Sequence, residues 1–155
     1  MLPKSEWSQL IPHQGAMCLL DRVQSWDAER IHALSDSHTR GDNPLRSDGQ
    51  LRAVHLCEYG AQAMAVHGAL LAREKGAGVQ PGLLVALRDV QLHVTRIDDL
   101  PNTLSVVAEK LLDSGASWQY QFRITHANAL LAEGRATVML QAGITQSNTG
   151  NGESA

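Results

Sequence analysis

The sequence predicts an α+β fold, an antiparallel sheet of about six strands wrapped around one long central helix. Three observations carry this. The run "VHLCEYGAQAMAVHGALLA", Val54 to Ala72, is the most apolar stretch of the chain and has the Ala and Leu content of a helix. After "GVQPG" the texture changes, and four segments rich in Val, Leu, Ile and aromatic residues follow, with polar–apolar alternation clearest in "VQLHV" and "WQYQFRI". A helix with so few polar positions must be covered on most sides, and antiparallel strands curling around it would do that.

Taken in order, "SEWSQLI" predicts a short amphipathic helix with Ser5 as its cap and Trp7 and Leu10 on one side. A turn follows at Pro12 to Gly15. "MCLLDRVQSWDAERIHALSDS" reads as two strands joined at "DAER", and "HTRGDNPLRSDGQ" is a loop by its Gly, Asp, Asn and Pro content. From about Ala53 to Lys75 the pattern is helical and ends in "REKGAG", with basic residues and glycines suited to a helix C-terminus. The four later segments, "LLVALRDVQLHV", "TLSVVAEKLL", "SWQYQFRITHA" and "LLAEGRATVMLQ", have short separators that suit an antiparallel meander. The final "QAGITQSNTGNGESA" is polar and rich in Gly and Ser. The expected organisation is one domain over residues 1–141 with a disordered tail over 142–155.

A chain of 155 residues with 43% hydrophobic content builds one real core and is too short for two. Thirteen basic against sixteen acidic residues, net charge −3, with no run of either sign, gives no electrostatic case for nucleic acid or an anionic membrane. Glu58 and His67 interrupt the apolar run, which is therefore a core helix and not a membrane span. Cys18 and Cys57 lack a CxxC spacing, and the opening "MLPKSEWSQL" is unlike a leader peptide; two reduced thiols in a cytoplasmic protein are expected. "GAGVQPG" follows a helix and precedes a strand, the reverse of a dinucleotide fingerprint, and no Gly-x-Ser-x-Gly occurs. No metal is expected, since His55 and Glu58 have no third ligand at a recognisable spacing. Arg40, Arg46, Arg52, Arg88 and Arg96 are scattered and read mainly as surface charges, though they could meet a phosphate or an acidic protein. A single sheet leaves an uncovered edge, so a symmetric dimer or larger homo-oligomer is expected.

The one charged group early in the apolar helix is Glu58. A buried, unpaired carboxylate costs several kcal/mol or becomes neutral, so such a group calls for an explanation. Its rivals are a helix-start carboxylate facing solvent, stabilised by the N-terminal dipole, and a catalytic acid. His55, Glu58 and Gln62 form one polar stripe on an apolar rod.

"IPHQGAMCLLDRV" resembles the opening of the hotdog-fold 3-hydroxyacyl-acyl-carrier-protein dehydratases, and "DNPLRSDGQL" followed by "EYGAQAMA" is similar to their Asn/Glu-Pro loop and the Glu-x-x-x-Gln start of their central helix. The nearest likeness is to the dehydratase-like proteins of aryl-polyene pigment clusters, over roughly residues 5 to 141. The resemblance implies a hotdog fold, Glu58 as the catalytic carboxylate, and substrate-binding roles for Asn43, Tyr59 and Gln62. It implies no bound cofactor, since the substrate rides on the phosphopantetheine of acyl carrier protein or on coenzyme A. There is one departure: the His-Phe-Pro-Gly motif that supplies the usual base is absent between Pro44 and Glu58, where "LRSDGQLRAVHLC" stands.

Dehydrating a 3-hydroxyacyl thioester requires a base for the α-proton, an acid for the hydroxyl, and donors to the thioester oxygen. Glu58 suits the acid, and backbone amides near Ala53 to His55 are candidate donors. His13, in the Pro-His turn that the resemblance places along the acyl tunnel, is the first choice of base, and His55 the second. His38 and His67 are weaker candidates; His32, His93 and His126 read as structural strand residues. Three functions follow: a dehydratase working with acyl carrier protein, an acyl-thioesterase using Glu58 to activate water, and a non-catalytic subunit that pairs with a second hotdog protein.

Overall fold

The computed structural model describes residues 1–78 and 82–140. The expected disordered tail over 142–155 and the middle of "GVQPG" lie outside them. Seven strands form one antiparallel sheet: β1 (Leu2–Pro3), β2 (Arg22–Trp26), β3 (Arg30–Ser35), β4 (Gly82–Leu92), β5 (Leu104–Asp113), β6 (Ser117–His126) and β7 (Ala129–Leu140), in the order β1-β2-β3-β5-β6-β7-β4. One long helix, α1 (Leu56–Glu74), packs against β3, β5, β6 and β7. The two-residue β1, which pairs with β2, is the strand the sequence did not announce.

Two local expectations are corrected. "SEWSQLI" does not form one helix; it folds as two short 3-10 turns, Lys4–Glu6 and Ser8–Leu10, and no side-chain cap bond forms. Trp7 breaks the segment with φ of −133° because its indole is fully buried in the core, a demand that overrides the helical spacing. The four C-terminal strands are not one meander either. β5, β6 and β7 are consecutive neighbours, but β4 lies on the far edge against β7 and never pairs with β5. Between β4 and β5 the chain instead binds the segment before α1: Ile97 N–H donates to the Leu51 carbonyl at 2.9 Å, Leu51 N–H to Asp98 at 2.9 Å, and Ala53 N–H to the Thr95 carbonyl at 3.0 Å.

The helix ends as the sequence indicates. Gly76 adopts φ of +67°, its N–H donates to the Arg73 carbonyl at 3.1 Å, and Ala77 N–H reaches the Ala72 carbonyl at 2.9 Å. This Schellman arrangement satisfies orphan carbonyls of the last turn and needs a residue free of Cβ strain. The core lies between helix and sheet: Leu56, Tyr59, Ala63, Val66 and Leu70 from α1 meet Ile31, Val106, Tyr120, Phe122 and Ile124 from the strands. Among the described residues no helix is long and apolar enough to cross a membrane.

Candidate active site

α1 carries Glu58 in its first turn. Facing it is His13, delivered by the segment after the second 3-10 turn, with Nε2 3.4 Å from Glu58 Oε1. Both side chains are about one-third exposed, so solvent and small molecules reach them. The His13 Nδ1 is buried and has no hydrogen-bond partner among the described residues. Nε2 is therefore the ring nitrogen turned to the carboxylate.

Gln62, one turn along α1, holds this pair in place. Its Oε1 accepts from Leu19 N–H at 2.8 Å, and its Nε2 donates to the Met17 carbonyl at 2.7 Å and to Glu58 Oε1 at 3.4 Å. One fully buried amide thus ties the N-terminal segment that carries His13 to the helix that carries Glu58. All its strong bonds are internal, so its amide is already engaged where a substrate contact was expected.

His13 and Glu58 border a cavity of about 270 Å³. Its helix wall is built of Ala61, Met64, Ala65 and Gly68, small or flexible side chains repeating at helical spacing from Glu58. Leu84, Trp118, Tyr120, Val138 and Leu140 form the opposite wall. A mostly apolar cleft with two convergent titratable groups at one end is the usual form of a small-molecule site.

The other expected residues lie elsewhere. His55 occupies the 3-10 turn Ala53–His55 before α1 and does not line the cavity, so the stripe reduces to Glu58 and Gln62. Asn43 and Tyr59 are buried in a polar knot: Asn43 Nδ2 donates to the Ser37 carbonyl at 3.0 Å and to the Tyr59 hydroxyl at 3.2 Å, and that hydroxyl bonds Ser37 Oγ at 2.7 Å. They fix the loop beneath the helix and do not meet the cavity. Of the backbone amides expected as donors to a thioester oxygen, those of Ala53 and His55 are already engaged, with the Thr95 and Arg52 carbonyls. His38 is buried with Nε2 donating to the Leu100 carbonyl at 2.9 Å. His67 Nε2 donates to the Asp27 carbonyl at 2.8 Å, which leaves Nδ1 to accept from the Tyr120 hydroxyl at 2.7 Å. Burial holds both imidazoles below the usual histidine range and pushes the Tyr120 hydroxyl above its own. Among the described residues no three potential metal ligands gather.

The strand wall escaped the sequence reading. Trp118 and Tyr120 sit two apart in "SWQYQF", so alternation placed them on one face of a strand, but nothing in the sequence said which cavity that face would line.

Comparison with known proteins bears on this site. The ApeP-like family, described as ApeP dehydratase, matches residues 5–148. The chain belongs to the ApeP-like dehydratase family. Membership carries a dehydratase-type function. Among solved structures, a chain of the dehydratase heterocomplex ApeI:P from Xenorhabdus doucetiae superposes with a TM-score of 0.78 at 22% identity, covering 90% of this chain and 91% of that one. A hypothetical thioesterase with coenzyme A from Streptococcus pneumoniae gives 0.57 at 11% identity, covering 77% and 84%. The PaaI protein of the phenylacetic acid degradation operon of E. coli gives 0.56 at 14% identity, covering 76% and 80%. At these identities the superpositions establish the fold, which is the hotdog fold. No curated protein sequence matches.

Proposed function

We propose that this ApeP-like dehydratase removes water from 3-hydroxyacyl thioesters carried by acyl carrier protein, with His13 as base and Glu58 as acid. The observation that carries this reading is the His13–Glu58 pair, 3.4 Å apart at one end of an apolar cavity. His13 Nε2 takes the proton from the carbon next to the thioester carbonyl. The electron pair moves through the enolate to form the new double bond, and the 3-hydroxyl departs as water with the Glu58 proton. The substrate loses one proton and one hydroxide. His13 then returns the proton to Glu58 across the short gap, so the pair resets without another residue. The acyl chain lies along Ala61, Ala65 and Gly68.

A second hotdog protein as partner is supported by β4. This edge strand pairs only with β7 among the described strands, yet Leu83, Leu84, Val85, Leu87, Val90 and Leu92 are all exposed on it. An apolar open edge of this kind is suited to pairing with another chain. The ApeI:P neighbour is a complex of two different chains, and pairing along β4 would bring a partner beside Gly82 and Leu84, which border the cavity.

The test is conversion of a 3-hydroxyacyl-carrier-protein thioester to its enoyl product, followed by enoyl absorbance. Glu58→Gln and His13→Ala should each lower kcat by 100-fold or more, at the scale of a lost acid or base, with thermal melting unchanged. Thiol release without enoyl product would establish a thioesterase instead. Turnover that appears only on mixing with a second hotdog chain, and survives both substitutions, would identify a non-catalytic subunit.

A further inference from the structure

Gly68 is the lining residue of α1 farthest from Glu58, and Trp118 stands over it. A Cβ placed on Gly68 would lie 2.7 Å from Trp118 Cζ3, so the indole rests directly on the bare helix backbone. Any larger residue at position 68 would displace the ring. The indole is held from other sides as well. Lys110 Nζ stands 4.5 Å from the ring centroid, and Tyr120, itself anchored by His67, meets the ring edge-on at 6.2 Å.

Behind the indole lies a second cavity of about 220 Å³, which shares Gly68, Trp118 and Leu140 with the first. Its lining mixes charged and apolar groups: Lys75, Lys110 and Asp113 stand among Leu71, Ala72 and Ala77, with Lys110 Nζ 3.3 Å from Asp113. Trp118 therefore stands between the chamber that holds His13 and Glu58 and one bordered by the Lys110–Asp113 pair.

We propose that Trp118, seated on Gly68, is the end-stop that sets the acyl length this protein accepts. The inference rests on the acyl-thioester reading above and names the specificity of that same site. From Glu58 to Gly68 the helix wall rises about 15 Å, at ~1.5 Å per residue. An alkyl chain that fills this length meets the face of the indole. One that is longer must either move a ring fixed by three neighbours or press apolar carbon against the Lys110–Asp113 pair, which forfeits hydration of the charges.

Binding and turnover test this separately. S-alkyl pantetheine thioethers of increasing chain length cannot be dehydrated, so they report the length of the chamber alone. Wild-type affinity should rise about fourfold per methylene and then stop rising at a defined length. Trp118→Ala removes the stop. Trp118→Phe keeps an aromatic in the strand but lacks the outer ring atoms that reach Gly68, and it carries the test should the alanine variant fail to fold. In either variant the break should move by two or more carbons, with the longest probes binding at least tenfold tighter than to wild type. A break that stays in place in the folded Phe variant, or no break in wild type, overturns the end-stop. If thioethers bind with the expected break while a short 3-hydroxyacyl thioester gives no enoyl product, the dehydratase reading fails and the end-stop stands. Enoyl formation without a break sinks the end-stop alone.

Discussion

Phe122 sits in a slot cut by two glycines. A Cβ on Gly60 would lie 2.7 Å from Phe122 Cγ, and one on Gly134 would lie 2.7 Å from its Cζ. The fully buried ring is thus gripped between helix and neighbouring strand, and neither glycine can grow without moving it. Gly60→Ala trades a gain in helix propensity, up to about 1 kcal/mol, against overpacking that costs about 1–3 kcal/mol. Urea denaturation should show a net loss of stability, and the variant in which Phe122 is also shortened to Leu should recover part of it. At the candidate site, Glu58 stands out in the sequence because a lone carboxylate in an apolar run is anomalous. Tyr59 was not, since only the fold reveals that its hydroxyl is already taken by Ser37 and Asn43.

The element that organises the site is α1 together with the segment before β2. Gln62 replaces the backbone pairing that this irregular segment lacks, satisfying Leu19 N–H and the Met17 carbonyl at once. Gln62→Ala would leave the buried Leu19 N–H without its partner, at about 1–3 kcal/mol, and open the half-buried Met17 carbonyl to water. The expected outcome is a lowered melting temperature, faster amide exchange at Leu19, and reduced enoyl formation because His13 and Glu58 lose their common anchor. The helix itself was easy to read from composition and its glycine stop. The N-terminal segment does not hold one helix because about two turns of weak periodicity cannot compete with burial of Trp7. The helix likewise explains why His67 is not a base candidate: both ring nitrogens are engaged, by the Asp27 carbonyl of the β2–β3 turn and by Tyr120.

Across the whole molecule, two buried histidines couple the fold to pH. His38 and His67 are fully buried, and loss of hydration is the largest influence lowering each below the ordinary histidine value of about 6.5. Because the folded values are depressed, the unfolded chain takes up protons first as pH falls. The stabilisation these residues provide is complete above pH 6.5 and is lost as pH drops toward their folded values. In that window each contributes a slope of up to about 1.4 kcal/mol per pH unit. Denaturant unfolding at pH 7.5, 6.0 and 5.0 should show this decline, and His67→Gln should reduce the slope by about half while costing stability at pH 7.5. An unchanged slope in that variant would rule out the His67 contribution. Pairing through β4 acts at the same scale, since burying that edge would add stability that depends on protein concentration.

The α+β class, the single long helix, the strand segments and the anomaly at Glu58 follow from composition, periodicity and turn chemistry, which are local properties of the chain. Tertiary structure alone decided that β4 crosses to the far edge, that His13 and not His55 faces Glu58, and that Trp118 closes the cavity over Gly68. Those facts join residues 40 to 58 positions apart in the chain, and only the packing of helix and strands brings them together. No local pattern encodes which buried group a distant side chain will meet; competition for space and for hydrogen-bond partners in the assembled core settles it.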